Sequence, residues 1–299
     1  MKKIIILILI MISFSLFGAM KIVGESVENY SACGSSQNNL SYCHDQVDYM
    51  IQEWVSKGHT KTAWYKNGDA WATDLMDSTL ISVGTDNYTD DVADLVVFSG
   101  HGGISGNSST DLWSTTAMCP HNGYYSAQGR YSLFGEPDQN DVFSKAAYLV
   151  LFTCFSVHDF VKDNSSLPQS LQGGATWQEW KMVLRDKLYS IDHPERPVSI
   201  INMIFGFAGT SADSSYTDEN GEDFIADMNV ESQKQAWFTG NDDWYHNDRA
   251  GVITWGVHNG RYGVNSATDA IGRRDNHKLI DNAFVHGSNI AMAWSHHDC

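Results

Sequence analysis

Two residues that can do chemistry together, His101 and Cys154, each follow an apolar segment. The stretch LVVFSGHGG (95–103) carries a histidine between glycines, and YLVLFTC (148–154) ends in a cysteine 53 residues after that histidine. Cysteine attacks substrates as its thiolate, and a nearby histidine can increase the reactive fraction or move the proton. Alone, either residue is more often inert, so the significance of the pair depends on where the fold places them.

The segments before these two residues predict how they are positioned. Leu95–Phe98 and Tyr148–Phe152 are apolar runs without alternation, which is typical of strands buried on both faces of a sheet. If the two strands are parallel, they deliver His101 and Cys154 to the same edge. That edge, at the carboxyl ends of the strands, is where open α/β sheets hold their sites.

The surrounding pattern alternates between helix and strand. Residues 45–58 and 176–191 have apolar side chains at three- and four-residue spacing, and residues 198–209 form a third buried run. Residues 251–257 and 289–294 could extend the sheet at an edge. This order predicts an α/β fold, a three-layer sandwich with a mostly parallel central sheet.

The amino-terminal residues have the character of an export signal. Lys2 and Lys3 precede an apolar run from Ile4 to Ile12, and the run to Ala19 is short for the ~20 residues that cross a bilayer. A retained anchor is therefore the weaker interpretation. We expect a signal peptide over residues 1–25 and one domain over 26–299, secreted, periplasmic or at the cell surface, with no stable membrane insertion after cleavage.

The net charge of the chain limits the classes of molecule that it is expected to bind. The formal net charge is -17, which argues against nucleic acid. Acidic residues gather in segments such as TDENGEDF (217–224), where a solvated loop is the simple interpretation and structural calcium the sharper one. The candidate calcium ligands are Asp218, Asn220, Glu222 and Asp223, although the segment lacks the full calcium-loop spacing.

Five cysteines in an exported chain leave one thiol over. Cys33 and Cys43 flank a polar loop and could close it, which would leave Cys119 and Cys299 as the second disulfide. Four cysteines allow three connectivities, so this assignment stays open. Cys154, at the end of a buried strand, is expected to remain a thiol.

FSGHGG (98–103) and VLFTCFS (150–156) together resemble the clan of cysteine peptidases that includes caspases, legumain, gingipain and clostripain. Those enzymes carry a strand ending in His-Gly and, about 50 residues later, a strand ending in the nucleophilic cysteine. With its AWATDL stretch (70–75), the chain is most similar to an uncharacterised bacterial family of exported proteins in that clan. The resemblance implies a caspase-haemoglobinase-like fold.

The resemblance also implies a reaction and a role for each residue. A secreted cysteine endopeptidase would use Cys154 as nucleophile and His101 as acid-base partner. The backbone N–H groups of Gly102 and Cys154 would form the oxyanion hole, where close backbone approach favours glycine. A protein or peptide is the expected substrate, the chemistry needs no cofactor, and the expected state is a monomer.

Several alternatives stay open. Clostripain-like members often carry an acid two residues before the cysteine, but Phe152 stands there, so the preferred substrate side chain is not assigned. The acidic loops weakly favour basic substrates. His158 is a second-ranked partner for the cysteine. The terminal SHHDC (295–299) is expected to be a solvated terminus and not a zinc site. The alternative function is an inactive member of the same fold that binds protein or glycan without cleaving it.

Overall fold

The computed structural model gives the architecture around the predicted strands. It describes residues 19–34, 37–75, 85, 87, 89, 92–106, 112–116, 118–119, 146, 148–154, 156, 203–207, 211–215, 217–228, 232–241, 249–257 and 290–298. The strands are β1 Lys21–Ser26, β2 Thr60–Lys66, β3 Leu95–Ser99, β4 Gly102–Gly106, β5 Leu112–Thr116, β6 Tyr148–Phe152, β7 Met203–Phe207, β8 Arg249–Val257 and β9 Ile290–Asp298. The helices are α1 Cys43–Ser56, α2 Asn220–Asp227 and α3 Gln233–Gly240, with 3-10 turns at Tyr30–Cys33, Asn67–Asp69 and Ala72–Leu75.

Within these residues the main sheet has seven strands in the order β2-β1-β3-β6-β7-β8-β9. The first five run parallel, and β8 and β9 join antiparallel at one edge. The predicted fold class is confirmed: the protein is an α/β sandwich around a mostly parallel sheet. The predicted strands over 198–209, 251–257 and 289–294 are present as β7, β8 and β9. The predicted helix over 176–191 lies outside the described residues.

The register of the central strands fixes the carboxyl edge of the sheet. Ser26 of β1 lies opposite Ser99 of β3, and Ser99 lies opposite Phe152 of β6. Two bonds continue this alignment past the strand ends, from Val27 N to Ser99 O (3.0 Å) and from Gly100 N to Phe152 O (3.3 Å). The three strands therefore end level with one another, and the residues that follow them meet at one edge.

Helix α1 packs on the sheet through one apolar stripe. Its buried residues Val47, Met50, Ile51 and Trp54 recur at the spacing of a single helical face. Gly24 of β1 lies directly beneath them, because a Cβ there would come within 2.6 Å of the Val47 side chain and 2.7 Å of Ile51. The missing side chain lets the helix approach the strand closely.

Both faces of the sheet are buried, which explains the unbroken apolar runs. One face packs against α1, α2 and α3, with an aromatic cluster formed by Phe152, Phe205, Phe207, Phe224 and Trp237. The side chains that alternate with these, including Val96, Phe98, Leu149 and Leu151, are fully buried as well. A strand covered on both sides has no solvent face on which to alternate polar residues.

Strand β1 is an inner strand of the sheet. It lies between β2 and β3, and Met20 just before it accepts hydrogen bonds from Thr60 N and Trp54 Nε1. The expected boundary between residues 25 and 26 falls inside this strand. In the described parts of the chain, none of the helices has the length and apolar character to cross a membrane.

The disulfide assignment from the sequence is wrong. Cys33 bonds to Cys119 and not to Cys43, which also removes the expected Cys119–Cys299 pair. Cys43 is a buried thiol because it begins α1 and points into the protein. Cys154, as expected, is outside any disulfide. The bond joins the turn that carries Tyr30 to the segment beside Trp71, which pairs with Cys119 through an isolated bridge.

The segment after the candidate histidine forms a hairpin that the sequence pattern did not predict. Strands β4 and β5 pair antiparallel as a separate two-stranded sheet, with Gly102 opposite Thr116. Three glycines in GGISG gave no strand signal, because glycine is uncommon in strand interiors. His101 is therefore the single residue between Gly100 and the first strand of the hairpin.

Candidate active site

The fold brings the two candidate chemical residues to the same edge of the sheet. His101 follows the end of β3 by two residues, and Cys154 follows the end of the neighbouring β6 by two. The backbones beyond these strands touch, since a Cβ on Gly102 would lie 2.4 Å from Cys154 O and 2.8 Å from Cys154 N. Glycine is thus required at 102, and the two residues expected to form the oxyanion hole are in direct contact.

The imidazole of His101 is held by a backbone carbonyl. Its Nε2 lies 2.8 Å from Asn38 O. A carbonyl oxygen can only accept, so Nε2 carries the proton in the neutral ring. The lone pair then resides on Nδ1, which makes Nδ1 the atom of His101 that can take up a proton.

Tyr30 fixes the backbone and the ring plane of the same histidine. His101 N donates to Tyr30 Oη at 2.6 Å, and the two ring centroids are 4.8 Å apart. The tyrosine is 1% exposed, and burial raises its pKa well above the ordinary value of 10.0. Gly100 permits this contact, because a Cβ there would come within 2.6 Å of Tyr30 Oη.

The sulfur of Cys154 is in contact with the backbone of Ser211. Ser211 N donates to Cys154 Sγ at 3.2 Å, and the thiol lies 3.6 Å from Ser211 O. An N–H group directed at sulfur favours negative charge on that atom. The cysteine is half-buried, so a substrate can reach it.

Asp213 joins this loop to the start of α1. Its carboxylate accepts from Ser41 N at 3.0 and 2.8 Å and from Tyr42 N at 2.8 Å. Tyr42 is the residue that caps α1, so the bonds satisfy backbone donors at the helix start. One aspartate therefore holds together the segment after β7 and the segment before α1.

Cys43 is near the site but is not suited to attack. Burial raises its pKa to about 12, and nearby negative charges, first among them Asp213, act in the same direction. The thiol is 4% exposed. At neutral pH it remains protonated and shielded, which leaves Cys154 as the candidate nucleophile of the described residues.

A second histidine, His44 in the first turn of α1, lies close to Ser26, the serine that ends the neighbouring strand β1. Ser26 Oγ lies 2.8 Å from His44 Nδ1, and Trp64 Nε1 donates to the same hydroxyl at 3.2 Å. On the other side of the ring, Asn67 Nδ2 lies 3.0 Å from His44 Nε2. At first sight the serine and histidine form a possible catalytic pair.

The hydrogen bonds of Asn67 decide the protonation of that ring. Its Oδ1 accepts from Glu28 N at 2.9 Å and from Asn29 N at 2.7 Å, so Nδ2 faces His44 as a donor. His44 Nε2 then accepts, and Nδ1 holds the proton and donates to Ser26. The histidine cannot take a proton from the serine, and the pair is structural.

The charges around His44 agree with a neutral ring. Burial, and then the positive charge of Lys66, lowers the pKa of His44, while burial raises the pKa of Glu28. Glu28 Oε2 lies 3.6 Å from His44 Nε2, a distance that would suit an ion pair with a protonated ring. The donor from Asn67 at a shorter distance, with the lowered pKa, favours the neutral form.

The four candidate calcium ligands lie at the start of α2 and not in an open loop. Asn220 is buried and donates to Asn241 Oδ1 at 3.0 Å, while Glu222 and Asp223 occupy the first helical turn. Burial, with neighbouring acids, raises the pKa of Asp218, Glu222 and Asp223. Among the described residues, no three acidic, histidine or cysteine side chains form a metal-binding group. Calcium binding at this segment stays a prediction.

Three residues of this edge were absent from the sequence expectations: Tyr30, Asn38 and Asp213. They come from polar segments, and Asn38 contributes only a backbone carbonyl, which no residue pattern can reveal. The alternative partner His158 lies outside the described residues. Residues 295–298 of the expected solvated terminus are part of β9.

The fold and this edge define an α/β protein with a histidine and a cysteine at adjacent parallel strand ends. Residues 24–171, which include both, match the family described as Domain of unknown function (DUF6345). Comparison with curated proteins gave no match. Among solved structures, the crystal structure of protein GSU0716 from Geobacter sulfurreducens is similar at a TM-score of 0.35 and 12% identity, with 93% of each chain covered.

Proposed function

We propose that this protein is an exported cysteine endopeptidase that hydrolyses peptide bonds with a His101–Cys154 dyad. The observation that carries the proposal is the level ending of the parallel strands β3 and β6, each followed two residues later by one member of the pair. The contact between Gly102 and the Cys154 backbone supports it further. The caspase-haemoglobinase-like character of the fold is part of the same proposal.

The reaction needs a nucleophile, a proton donor and donors for the oxyanion. The Cys154 thiolate attacks the carbonyl carbon, and the C–N bond breaks as His101 gives a proton to the leaving amine. Water then hydrolyses the thioester, releases the acid product and restores the thiol. No metal or cofactor takes part in these steps.

We assign the transferred proton to one atom of the histidine. Asn38 O holds Nε2–H, so Nδ1 receives the proton of the thiol and later donates it to the leaving amine. This single hydrogen bond fixes both the tautomer and the direction of the ring. Tyr30 adds to the same restraint through His101 N.

The oxyanion is assigned to the backbone N–H groups of Gly102 and Cys154. Their backbones are close enough that no side chain fits at 102. Removing one such donor in an acyl-transfer enzyme typically costs ~3 kcal/mol of transition-state stabilisation, on the order of a hundredfold in rate.

Export follows from the leader, with cleavage before Lys21 so that β1 stays in the sheet. The substrate is a protein or peptide outside the cytoplasm, and the proposed active unit is a monomer. Exported protein whose amino terminus is Met1, or lies inside β1, would contradict this part of the proposal.

A positional-scanning peptide library, incubated with wild type and with Cys154→Ala, tests the activity. We expect wild type to cleave and the variant not to. In parallel, iodoacetamide labelling of the folded, non-reduced protein at neutral pH, with the labelled cysteine identified by mass spectrometry, should modify Cys154 faster than a model thiol. Cys43 is the internal reference, since burial raises its pKa to about 12.

Wild type that cleaves nothing across the library, together with Cys154 labelling no faster than a model thiol, overturns the peptidase proposal. The same chain would then be an inactive member of the fold that binds its partner at the cell surface. A disulfide at Cys154 in a non-reducing peptide map would have the same consequence.

A further inference from the structure

We infer that Asp213 is a positioning residue for the dyad, because it locks the loop that contacts Cys154 to the segment that orients His101. The inference rests on the proposed function and adds to it a residue that touches neither substrate nor the reacting atoms. It explains how the residues that follow two separate strands, His101 and Cys154, are held in a fixed position relative to each other.

The first half of the link is the anchor on the segment before α1. Asp213 Oδ1 accepts from both Ser41 N (3.0 Å) and Tyr42 N (2.8 Å), and Oδ2 accepts from Ser41 N at 2.8 Å. Hydrogen bonds to a charged acceptor are stronger than neutral ones. The carboxylate therefore fixes two successive residues of this segment, across 172 and 171 positions of sequence.

The second half is what that segment carries. Asn38 lies three residues before Ser41, and its carbonyl oxygen is the partner of His101 Nε2. Displacement of residues 38–42 would move the carbonyl and let the imidazole rotate. The orientation of the acid-base partner thus depends on how firmly this segment is held.

The other end of the link lies at the nucleophile. Ser211, two residues before Asp213, donates its N–H to Cys154 Sγ at 3.2 Å. An anchor at Asp213 limits movement of that N–H group. The same side chain consequently restrains the partner of the sulfur and the partner of the imidazole, although neither is bonded to it.

The charge of Asp213 cannot explain the arrangement as a device for activating the thiol. Burial is the main cause of the raised pKa of Cys43 and of Tyr30, and the negative charge of Asp213 raises both further, so it would oppose a thiolate in the same way. The benefit at this position is geometric. That distinction separates the effects of two substitutions.

Asp213→Ala removes the anchor and the charge, while Asp213→Asn removes the charge and keeps an acceptor. With its oxygen at the Oδ1 position, asparagine still accepts from Tyr42 N, but its Nδ2 takes the place of the Oδ2 that accepts from Ser41 N at 2.8 Å and cannot accept, so the anchor is kept only in part. Asp94→Ala is the matched control, because Asp94 Oδ2 accepts from Lys21 N at 2.7 Å at the beginning of the strands, the opposite edge of the sheet.

The experiment measures kcat and KM for the best library peptide and the rate of Cys154 alkylation, with and without His101→Ala, in wild type and in each of the three variants. We expect Asp213→Ala to lower kcat and the alkylation rate on the order of tenfold to a hundredfold with little change in KM. Asp94→Ala should stay within about threefold of wild type, because it removes no contact at this edge, and Asp213→Asn should fall between wild type and Asp213→Ala, because it keeps only part of the anchor. In the Asp213→Ala background, adding His101→Ala should lower both rates by a clearly smaller factor than it does in wild type, because the displaced ring has already lost part of its contribution.

The inference is overturned if Asp213→Ala keeps the wild-type rates, or if His101→Ala slows alkylation by the same factor in both backgrounds. It is also overturned if asparagine is as harmful as alanine. Failure of the proposed function is visible without any Asp213 variant, as wild type that cleaves nothing and a His101→Ala substitution that leaves alkylation unchanged. That result overturns both.

Discussion

His44 and His101 lie at one edge of the sheet, where His44 of α1 contacts Ser26 at the end of β1 and His101 follows the neighbouring β3, yet their hydrogen bonds are opposite in kind. His44 has a partner on each ring nitrogen, Ser26 on one side and the Asn67 amide on the other. His101 has one nitrogen held by the Asn38 carbonyl. The first ring is locked as a neutral structural element, and the second keeps a basic nitrogen.

The difference shows that the chemistry of a histidine is decided by what its neighbours can donate. An amide N–H directed at His44 Nε2 uses the lone pair that a general base needs. A carbonyl directed at His101 Nε2 instead leaves the lone pair on the other nitrogen. Proximity to a nucleophile is thus insufficient, and the second partner of the ring distinguishes the two sites.

The largest expected effect tests this contrast directly by substituting each histidine with glutamine. His101→Gln should lower kcat/KM by about a hundredfold to ten-thousandfold, the range for losing a general acid-base group. His44→Gln should leave kcat/KM within about threefold, since an acid-base contribution begins near a hundredfold. Peptide cleavage by the two purified variants, with circular dichroism as the control for folding, measures both. Equal losses would remove the distinction between the two histidines.

The Cys33–Cys119 disulfide is expected to stabilise the folded protein around both histidines. It closes a separation of 86 residues, and by the chain-entropy model it contributes about 4 to 5 kcal/mol. Cys33→Ser with Cys119→Ser should lower the denaturant midpoint and raise the denaturant slope, because the unfolded chain without the cross-link is less compact. Wild type in reducing buffer is the control. An unchanged midpoint would indicate that hydrogen bonds alone hold Tyr30 in place.

A smaller effect concerns Asp74, which is buried beside the segment that carries Asn67. Burial raises its pKa from 3.8 to about 6, although Trp71 N and Thr85 Oγ1 both donate to its carboxylate. The folded state keeps this proton between about pH 4 and 6 where the unfolded state has lost it, so stability falls as pH rises through that window. The loss amounts to about 3 kcal/mol.

Chemical denaturation of wild type and Asp74→Asn at several pH values checks that sign. The variant should lose the fall in stability between pH 4 and 6, because asparagine has no proton to release. Asp69→Asn, at an exposed position nearby, is the matched control, and its stability should depend on pH in the same way as that of wild type. Identical pH dependence in wild type and Asp74→Asn would contradict the assignment.

The smallest expected effect has the opposite sign and belongs to His44. Burial lowers its pKa below the ordinary 6.5, so the unfolded state takes up a proton first as pH falls and stability decreases below about pH 6.5. His44→Gln should weaken this decrease and cost about 1 to 2 kcal/mol at neutral pH through altered hydrogen bonds. An NMR titration of His44 that gave a pKa above the ordinary value would reverse the interpretation of the ring as neutral.

The strands that are buried on both faces could be predicted from the sequence, because burial requires apolar residues at successive positions. The runs around Val96, Leu149 and Ile204 contain no polar alternation because both faces of the sheet are covered. Strand β1 was hidden, since KIVGES is short, begins with a lysine and follows directly on the apolar leader. The hairpin of β4 and β5 was hidden by its glycines, whose strand conformation depends on cross-strand pairing.

The candidate site divides in the same way. Chain order and spacing predicted that His101, Gly102 and Cys154 would lie at one edge, because adjacent parallel strands have their carboxyl ends at the same edge of a sheet. The cysteine pairing was not determined, since Cys43 lies close to Cys33 in sequence but is turned inward at the start of α1. Disulfide geometry is a matter of Cα separation in space, and only the fold sets it.

The sequence by itself determined an α/β protein with a mostly parallel sheet and with a histidine and a thiol at one edge. Apolar runs without alternation indicate buried strands, and the alternation of helix and strand along the chain indicates parallel pairing. The tertiary structure alone decided which histidine keeps a basic nitrogen, which cysteines bond, and that Asp213 joins the two halves of the site. Those outcomes depend on backbone carbonyls, amide orientation and contacts across 171 and 172 positions of sequence, none of which is a property of any single segment.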